Sequence, residues 1–289
     1  MRPSDPHGLT ANEEDVPVET ARRVPTLVVA YDDPEPRTGT RPLAVEMPVN
    51  LVYGTVPYAV MMTTPADLVD FAYGFSLTEG IVASADEIRS VRVEADTAEG
   101  GMRLLVDLVP GRLREHLSRK RAMSGRTGCG VCGIDDLASL PKADAPLHGA
   151  GQVTIAAIQR ALLAMGDAQV LNAETRAVHA AAWADLDGTL VALREDVGRH
   201  NGLDKLIGAL MQRGTDPADG FVVITSRCSF EMVEKAASLG ATVLVAISAP
   251  TSLAIDRARL HGMTLCAIAR SDTLTVFTGH ERLVLSALP

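Results

Sequence analysis

Cysteine, aromatic residues and long apolar runs are all scarce in this chain, and each scarcity removes a class of protein. Four cysteines in 289 residues are too few for a disulfide scaffold and point to a reducing compartment, the cytoplasm. No stretch approaches the roughly 20 uninterrupted apolar residues of a membrane span, so no membrane partner is expected. Residues 1–23 are polar, with prolines and acids, and lack the apolar core of a secretory signal. No glycine fingerprint of the dinucleotide-binding type follows any candidate strand, which argues against a nicotinamide site. Positive charge is in deficit too: the net charge is −9, so the surface as a whole does not attract nucleic acid.

What is there suffices for a real core. Hydrophobic residues make up 47% and charged residues 22%, ordinary for a soluble globular chain of one large or two smaller domains. Residues 1–22 read as a disordered leader. Residues 23–110 read as an N-terminal α+β subdomain, with strands expected at 26–31, 44–52 and 58–63. In Thr64-Pro65-Ala66-Asp67, Thr64 is the expected N-cap and Pro65 the first helical residue. A hairpin is expected from 88–93 and 102–109 around Gly100-Gly101. Residues 111–133 break the regularity and read as a basic, then Gly/Cys-rich, mobile loop.

Residues 134–289 read as an α/β cofactor-binding domain. A helix is expected at 153–165, paired strands at 177–183 and 189–195, and a helix at 201–212. Then near-continuous apolar strands at 221–225, 242–247 and 264–269 alternate with helices at 229–239 and 251–261; 274–278 adds a possible fourth. That alternation predicts a three-layer α/β/α fold around a parallel sheet. Ligands in such sheets sit at the carboxyl ends of the strands, which here carry Thr225-Ser226-Arg227, Ser248-Ala249-Pro250-Thr251 and Arg270. Ser229 and Thr251, each taken alone, read as helix caps. Several such ends on one edge point to an anion pocket.

The chemistry centres on Gly128-Cys129-Gly130-Val131-Cys132-Gly133. Glycine on every side lets backbone N–H groups turn toward sulfur and stabilise the reactive thiolate. Arg112, Arg114, Arg119, Lys120, Arg121 and Arg126 lie just upstream and suggest an anionic partner. Spacing alone leaves several readings open. A zinc knuckle needs two more ligands at short spacing, whereas Cys228, Cys266 and the seven histidines are scattered. A thioredoxin-like pair should open a helix after a strand. The remaining reading is a sulfur carrier holding a persulfide. His179-Ala180-Ala181 invites comparison with zinc deaminases, but the glutamate they need is alanine at 181. Arg194-Glu195-Asp196-Val197-Gly198-Arg199-His200-Asn201 reads either as a solvated turn or as an organised polar site with Asp196, Arg199, His200 and Lys205.

Together these segments resemble the formate dehydrogenase accessory sulfurtransferase family (FdhD). The resemblance rests on residues 127–133, on 195–201 with Asp204-Lys205, on 225–232 and on 248–251. Thr64-Pro65-Ala66-Asp67, Gly74-Phe75 and Glu79-Gly80 add to it. It implies a sulfur carrier that takes persulfide sulfur from a cysteine desulfurase. The sulfur passes to the molybdenum bis-molybdopterin guanine dinucleotide cofactor for the apo form of formate dehydrogenase. It also implies a cytidine deaminase-like fold, a homodimer, Cys129 as the persulfide residue and Cys132 as its helper. The family's cofactor-binding stretch falls on Phe277, Thr278, Gly279, His280, Glu281 and Arg282; the strand-end residues Ser226 and Arg227 and the turn residues Arg199 and His200 are read from their positions as further candidate cofactor contacts. No resident metal is implied. The family's usual Thr-Gly-Gly before the histidine is Thr175-Arg176-Ala177 here, which makes Arg176 a candidate phosphate contact. A non-catalytic, cofactor-binding chaperone for the apo-dehydrogenase is the alternative.

Overall fold

A computed structural model describes residues 18–96, 100–112, 146–147 and 151–285. The chain enters through a long antiparallel ribbon of β1 (Ala21–Ala30) and β2 (Asp33–Ala44). Sequence patterning predicts only its first strand, because Pro34, Pro36, Gly39 and Pro42 disguise the second. All three prolines are tolerated because the ribbon has open edges.

A four-stranded sheet follows. It contains β3 (Met47–Tyr53), β4 (Val56–Thr63), β5 (Ile88–Asp96) and β6 (Gly101–Leu108), in the order β4-β3-β6-β5. One helix, α1 (Leu68–Thr78), covers it: Phe71, Ala72 and Phe75 bury against Val49, Leu51, Tyr53, Leu104 and Val106. The expected cap is corrected here. Asp67, in a left-handed conformation, precedes the helix with no side-chain cap bond, and Thr64 is buried in a different task described below.

The second half builds on β7 (Val153–Thr154), α2 (Ile155–Ala168), α3 (Val170–Thr175), β8 (His179–Asp185), β9 (Leu190–Asp196) and α4 (Arg199–Arg213). It continues through β10 (Gly220–Ile224), α5 (Phe230–Leu239), β11 (Val243–Ala246), α6 (Ser252–His261), β12 (Thr264–Ala267), β13 (Thr275–Thr278) and β14 (Leu283–Val284). Six of these strands form one sheet in the order β13-β12-β11-β10-β8-β9. Only β10, β11 and β12 run parallel in it. The parallel sheet expected from these three strands is present, and antiparallel β8, β9 and β13 extend it into a mixed sheet. Short links join β8 to β9 and β12 to β13, and short links favour antiparallel hairpins over crossovers.

Both sheet faces are covered. On one, Leu203, Leu206 and Ile207 of α4, Met232 and Val233 of α5, and Ala254 and Ala258 of α6 pack on Trp183, Val222, Ile224, Leu244 and Leu265. On the other, Ala157, Ile158, Ala161 and Met165 of α2 pack on Ala182, Phe221, Val223, Val245 and Cys266. The architecture is thus mixed α/β with several sheets. The two halves meet where α1 crosses α4 at Gly74 and Gly208. A Cβ on Gly74 would sit 1.8 Å from the Asp204 carbonyl oxygen, and one on Gly208 1.8 Å from that of Asp70. Only glycine lets the backbones come this close.

Candidate functional site

The carboxyl ends of β10, β11 and β12 share an edge with the start of β8 and the end of β9, because His179 pairs with Asp196 and Ile224 with Ala181. Loops at this edge are tied to each other. Thr225 Oγ1 accepts from the Ala180 N–H at 2.9 Å. The Cys228 N–H donates to Ala249 O at 3.2 Å, and the Thr251 N–H to Cys228 O at 2.9 Å. Thr251 caps α6 through the Ala254 N–H at 3.3 Å, as its sequence context predicts. Ser229 precedes α5 but turns its hydroxyl to Glu231, 2.7 Å away.

The turn at 194–201 resolves into two parts. Asp196 and Lys205 are fully buried and paired at 2.6 Å. Asp196 also accepts from the Gly198 N–H at 2.7 Å and the Thr64 N–H at 2.9 Å. Lys205 donates to Thr64 O at 2.8 Å, and Thr64 Oγ1 accepts from the Val197 N–H at 3.1 Å. Thr64 thus ties the N-terminal half to the start of α4, a role its cap-like context conceals.

Arg199 and His200 turn the other way. His200 Nε2 lies 3.3 Å from Glu231, whose carboxyl is held below its usual range, first by that bond. Arg199 Nε is buried with no hydrogen-bond partner among the described residues. His179 is held below the usual imidazole pKa by burial, then by the charges of Arg199 and Arg227. Arg227 itself is exposed, and Ser226 is buried beside it, its hydroxyl donating to Arg227 O at 3.1 Å. The edge therefore carries two guanidinium groups, one with an unmet donor, beside the His179 imidazole. That donor set fits a phosphate-bearing ligand. Arg270 is exposed, and its Nη1 donates to the carbonyls of Ile247 and Ala269. Arg176 is exposed at the left-handed end of α3.

Phe277, Thr278, Gly279, His280, Glu281 and Arg282 are not brought to this edge. Thr278 pairs with Leu265 and Thr275 with Ala267, so the stretch lies at the amino ends of the parallel strands. Its bonds are structural: Thr264 Oγ1 donates to Gly279 O at 2.7 Å, Thr278 Oγ1 to Met263 O at 2.7 Å, and Arg282 Nη1 to Gly262 O at 2.6 Å. Phe277 packs against the main core. Here too one arginine nitrogen, Arg282 Nε, is buried without a hydrogen-bond partner among the described residues.

Cys129 and Cys132 lie outside the described residues, as do Arg114, Arg119, Lys120, Arg121 and Arg126. Arg112 is described and bonds Glu87 at 2.7 Å. Cys228 and Cys266 are buried, and burial pushes each thiol up to about 12. Among the described residues no group of three or more His, Cys, Asp or Glu could hold a metal ion. No described helix is long and apolar enough to cross a membrane.

Residues 44–284 match the FdhD/NarQ family. The chain belongs to that family. It is 47% identical over 243 residues to the sulfur carrier protein FdhD of Xanthomonas euvesicatoria pv. vesicatoria, covering 84% of this chain and 86% of the relative. The sulfur carrier protein FdhD of Agrobacterium fabrum is 45% identical over 257 residues, 86% of this chain and 92% of that one. In three dimensions the chain resembles the crystal structure of a proposed formate dehydrogenase accessory protein from Desulfotalea psychrophila. The TM-score is 0.71 at 23% identity, over 92% of this chain and all of the other. This likeness shows a shared fold.

Proposed function

We propose that this FdhD/NarQ-family protein is a sulfur carrier, a sulfurtransferase that serves formate dehydrogenase maturation through a cysteine persulfide. Family membership supports the activity, and one structural observation supports the choice of sulfur. Of the four cysteines, Cys228 and Cys266 are buried with thiols pushed up to about 12. Neither ionises near neutral pH or meets a partner. The carrier role falls to Cys129, with Cys132 as helper, in their glycine loop.

The sulfur-accepting step balances without an external oxidant. The Cys129 thiolate attacks the outer sulfur of a persulfide on a cysteine desulfurase. A new S–S bond forms as the donor's S–S bond breaks, and the donor departs as a thiolate. Cys129 then holds the sulfur as its own persulfide. The client is the bis-molybdopterin guanine dinucleotide cofactor of molybdenum, destined for apo formate dehydrogenase. Arg199, Arg227, Ser226, His200 and the first-turn N–H groups of α4 would hold its phosphates. Residues 277–282, at the far edge of the sheet, keep a cofactor-binding role only as a separate contact. The three-layer sheet and Ala181 fit a cytidine deaminase-like scaffold that does no deaminase chemistry.

The test is Cys129→Ala in cells. Formate dehydrogenase activity should be abolished while the purified variant keeps its circular dichroism and melting temperature. Retained activity refutes the assignment.

A further inference from the structure

One strand end at the candidate edge is strained. Ile268 directly follows β12 and takes φ +51°. The Cβ of an L-residue crowds the backbone in that region, and a branched Cβ crowds it most. Among the described residues two other non-glycine residues share it, Asp67 and Arg176. Aspartate tolerates the region through its short polar side chain, and Arg176 closes a helix, where a left-handed residue is ordinary. Neither reason applies to Ile268. Such a conformation persists only where its surroundings over-determine it.

The surroundings of Ile268 do so. Its N–H donates to Ser248 O at 3.2 Å, and the Ala269 N–H donates to Ala246 O at 3.2 Å, so both residues are bonded to the end of β11. The Arg270 N–H closes the next turn on Thr273 O at 2.7 Å. Arg270 also clamps the kink with its side chain, Nη1 donating to Ile247 O and, at 2.9 Å, to Ala269 O. This strand-end arginine, expected at an anion pocket, thus holds backbone instead. What the clamp presents is aliphatic. Ile268 is 42% exposed, and Ala249, at the end of the neighbouring strand, is exposed beside it in the sheet. The carbonyls of Ala246, Ile247, Ser248 and Ala269 are already bonded, so this surface reads shape rather than hydrogen bonds.

We propose that Ile268 is the platform on which the flat ring of a purine nucleotide rests, with Arg270 as its positioning residue. The inference rests on the phosphate site proposed above at Arg199 and Arg227, and adds the base to it. Strand order sets the distance. Strand β12 lies two places from β10, whose end carries Arg227, and at ~4.8 Å per strand the two ends stand ~10 Å apart. That span suits a nucleoside diphosphate, base at one end and outer phosphate at the other. A ring laid over Ile268 removes aliphatic surface from water, and the larger the ring face the greater the gain. The platform ignores the edge of the ring. It therefore selects purine over pyrimidine and does not separate guanine from adenine.

The test is isothermal titration of the full chain with guanosine, adenosine and cytidine diphosphates and with pyrophosphate. Wild type should bind both purine diphosphates alike, and severalfold more tightly than the cytidine compound or pyrophosphate. Ile268→Gly should weaken guanosine diphosphate about tenfold, the scale of burying one aliphatic side chain, and leave pyrophosphate within about twofold. Ile268→Asn, which keeps side-chain bulk and tolerates the left-handed region, should do the same, which separates lost aliphatic surface from a loosened backbone. Arg270→Met should weaken guanosine diphosphate alone, and cost nothing further when added to Ile268→Gly; a general structural role would weaken both ligands and add. An unchanged ratio of guanosine diphosphate to pyrophosphate affinity in Ile268→Gly overturns the proposal, as does a wild type that binds cytidine diphosphate as tightly as guanosine diphosphate. Arg227→Gln separates this proposal from the phosphate reading. If it weakens both ligands while Ile268→Gly changes neither, the platform alone fails. If it changes neither while Ile268→Gly still weakens guanosine diphosphate, the phosphate reading alone fails.

Discussion

Lys205 Nζ lies 2.6 Å from Asp196 Oδ2, and neither side chain reaches solvent. A fully buried ion pair is weak evidence for stability, because desolvation offsets much of the attraction. Its value here is geometric. The pair gathers Thr64, Gly198 and Asn201 around one carboxylate, and the Thr64 hydroxyl accepts from the Val197 N–H, which fixes the turn that presents Arg199 and His200. Removing the cation alone leaves the carboxylate buried and uncompensated. Lys205→Met should therefore cost about 3–5 kcal/mol in urea unfolding. Lys205→Met with Asp196→Asn should recover part of that loss while still weakening anion binding at Arg199.

The crossing of α1 and α4 allows a sharper test of packing. Gly74→Ala places a methyl group where the Asp204 carbonyl oxygen stands 1.8 Å away. Backbone, not a flexible side-chain end, must yield. The variant should lose at least ~2 kcal/mol of stability. Because Lys235 bonds both Asp204 carboxylate oxygens at 2.8 Å, shifting Asp204 should also disturb the Thr78–Asp204–Lys235 cluster between α1, α4 and α5. Hydrogen exchange at that junction should rise ahead of exchange in the central strands.

The two sheet edges make opposite predictions for anion binding. If the carboxyl-end edge holds the phosphates, Arg199→Gln and Arg227→Gln should each weaken binding of guanosine diphosphate by roughly tenfold, the range of a charge-assisted bond. Arg282→Gln should then leave it within twofold. Isothermal titration of the three variants reads the outcome, and the reverse order would move the phosphate site to residues 277–282.

His179 supplies a pH signature. Its imidazole is held below the ordinary pKa of 6.5 by burial and by the charges of Arg199 and Arg227. A bound anion offsets those charges and raises the pKa, so binding takes up a proton. Affinity should increase as pH falls from about 7.5 toward 5.5, with proton uptake seen as a buffer-dependent heat. His179→Ala should flatten that slope. A slope unchanged in the variant would remove His179 from the site.

Much of the second half is legible from patterning. The apolar runs at 221–225, 242–247 and 264–269 become β10, β11 and β12 within a few residues, because strands buried on both faces tolerate almost nothing polar. The Asp187-Gly188 turn likewise announces the β8–β9 hairpin, Gly188 taking φ +86°. Strand direction was not legible, since β13 carries no local mark of running antiparallel. Strand β2 was hidden because prolines are read as breakers, and only an open edge admits them. Thr64 shows the same limit at the site. A Thr-Pro pair ahead of a helix looks like a cap, whereas its backbone and hydroxyl bond Asp196, Val197 and Lys205, more than 130 residues away. The clue was the density of charge at 194–205, which requires buried partners, though nothing local names them. The separation of residues 277–282 from Arg199 and Arg227 follows from strand register and has no sequence signature.

The central claim is that Cys129 carries sulfur, and intact-protein mass spectrometry tests it most directly. The full chain is incubated with a cysteine desulfurase, its pyridoxal phosphate and cysteine, then analysed with and without reductant. The account predicts a gain of one sulfur mass that reductant removes, that maps to Cys129 and that disappears in Cys129→Ala. Cys228 and Cys266, buried and protonated, should remain unmodified in every sample. A protein that gains no sulfur, or gains it equally in Cys129→Ala, would contradict the account.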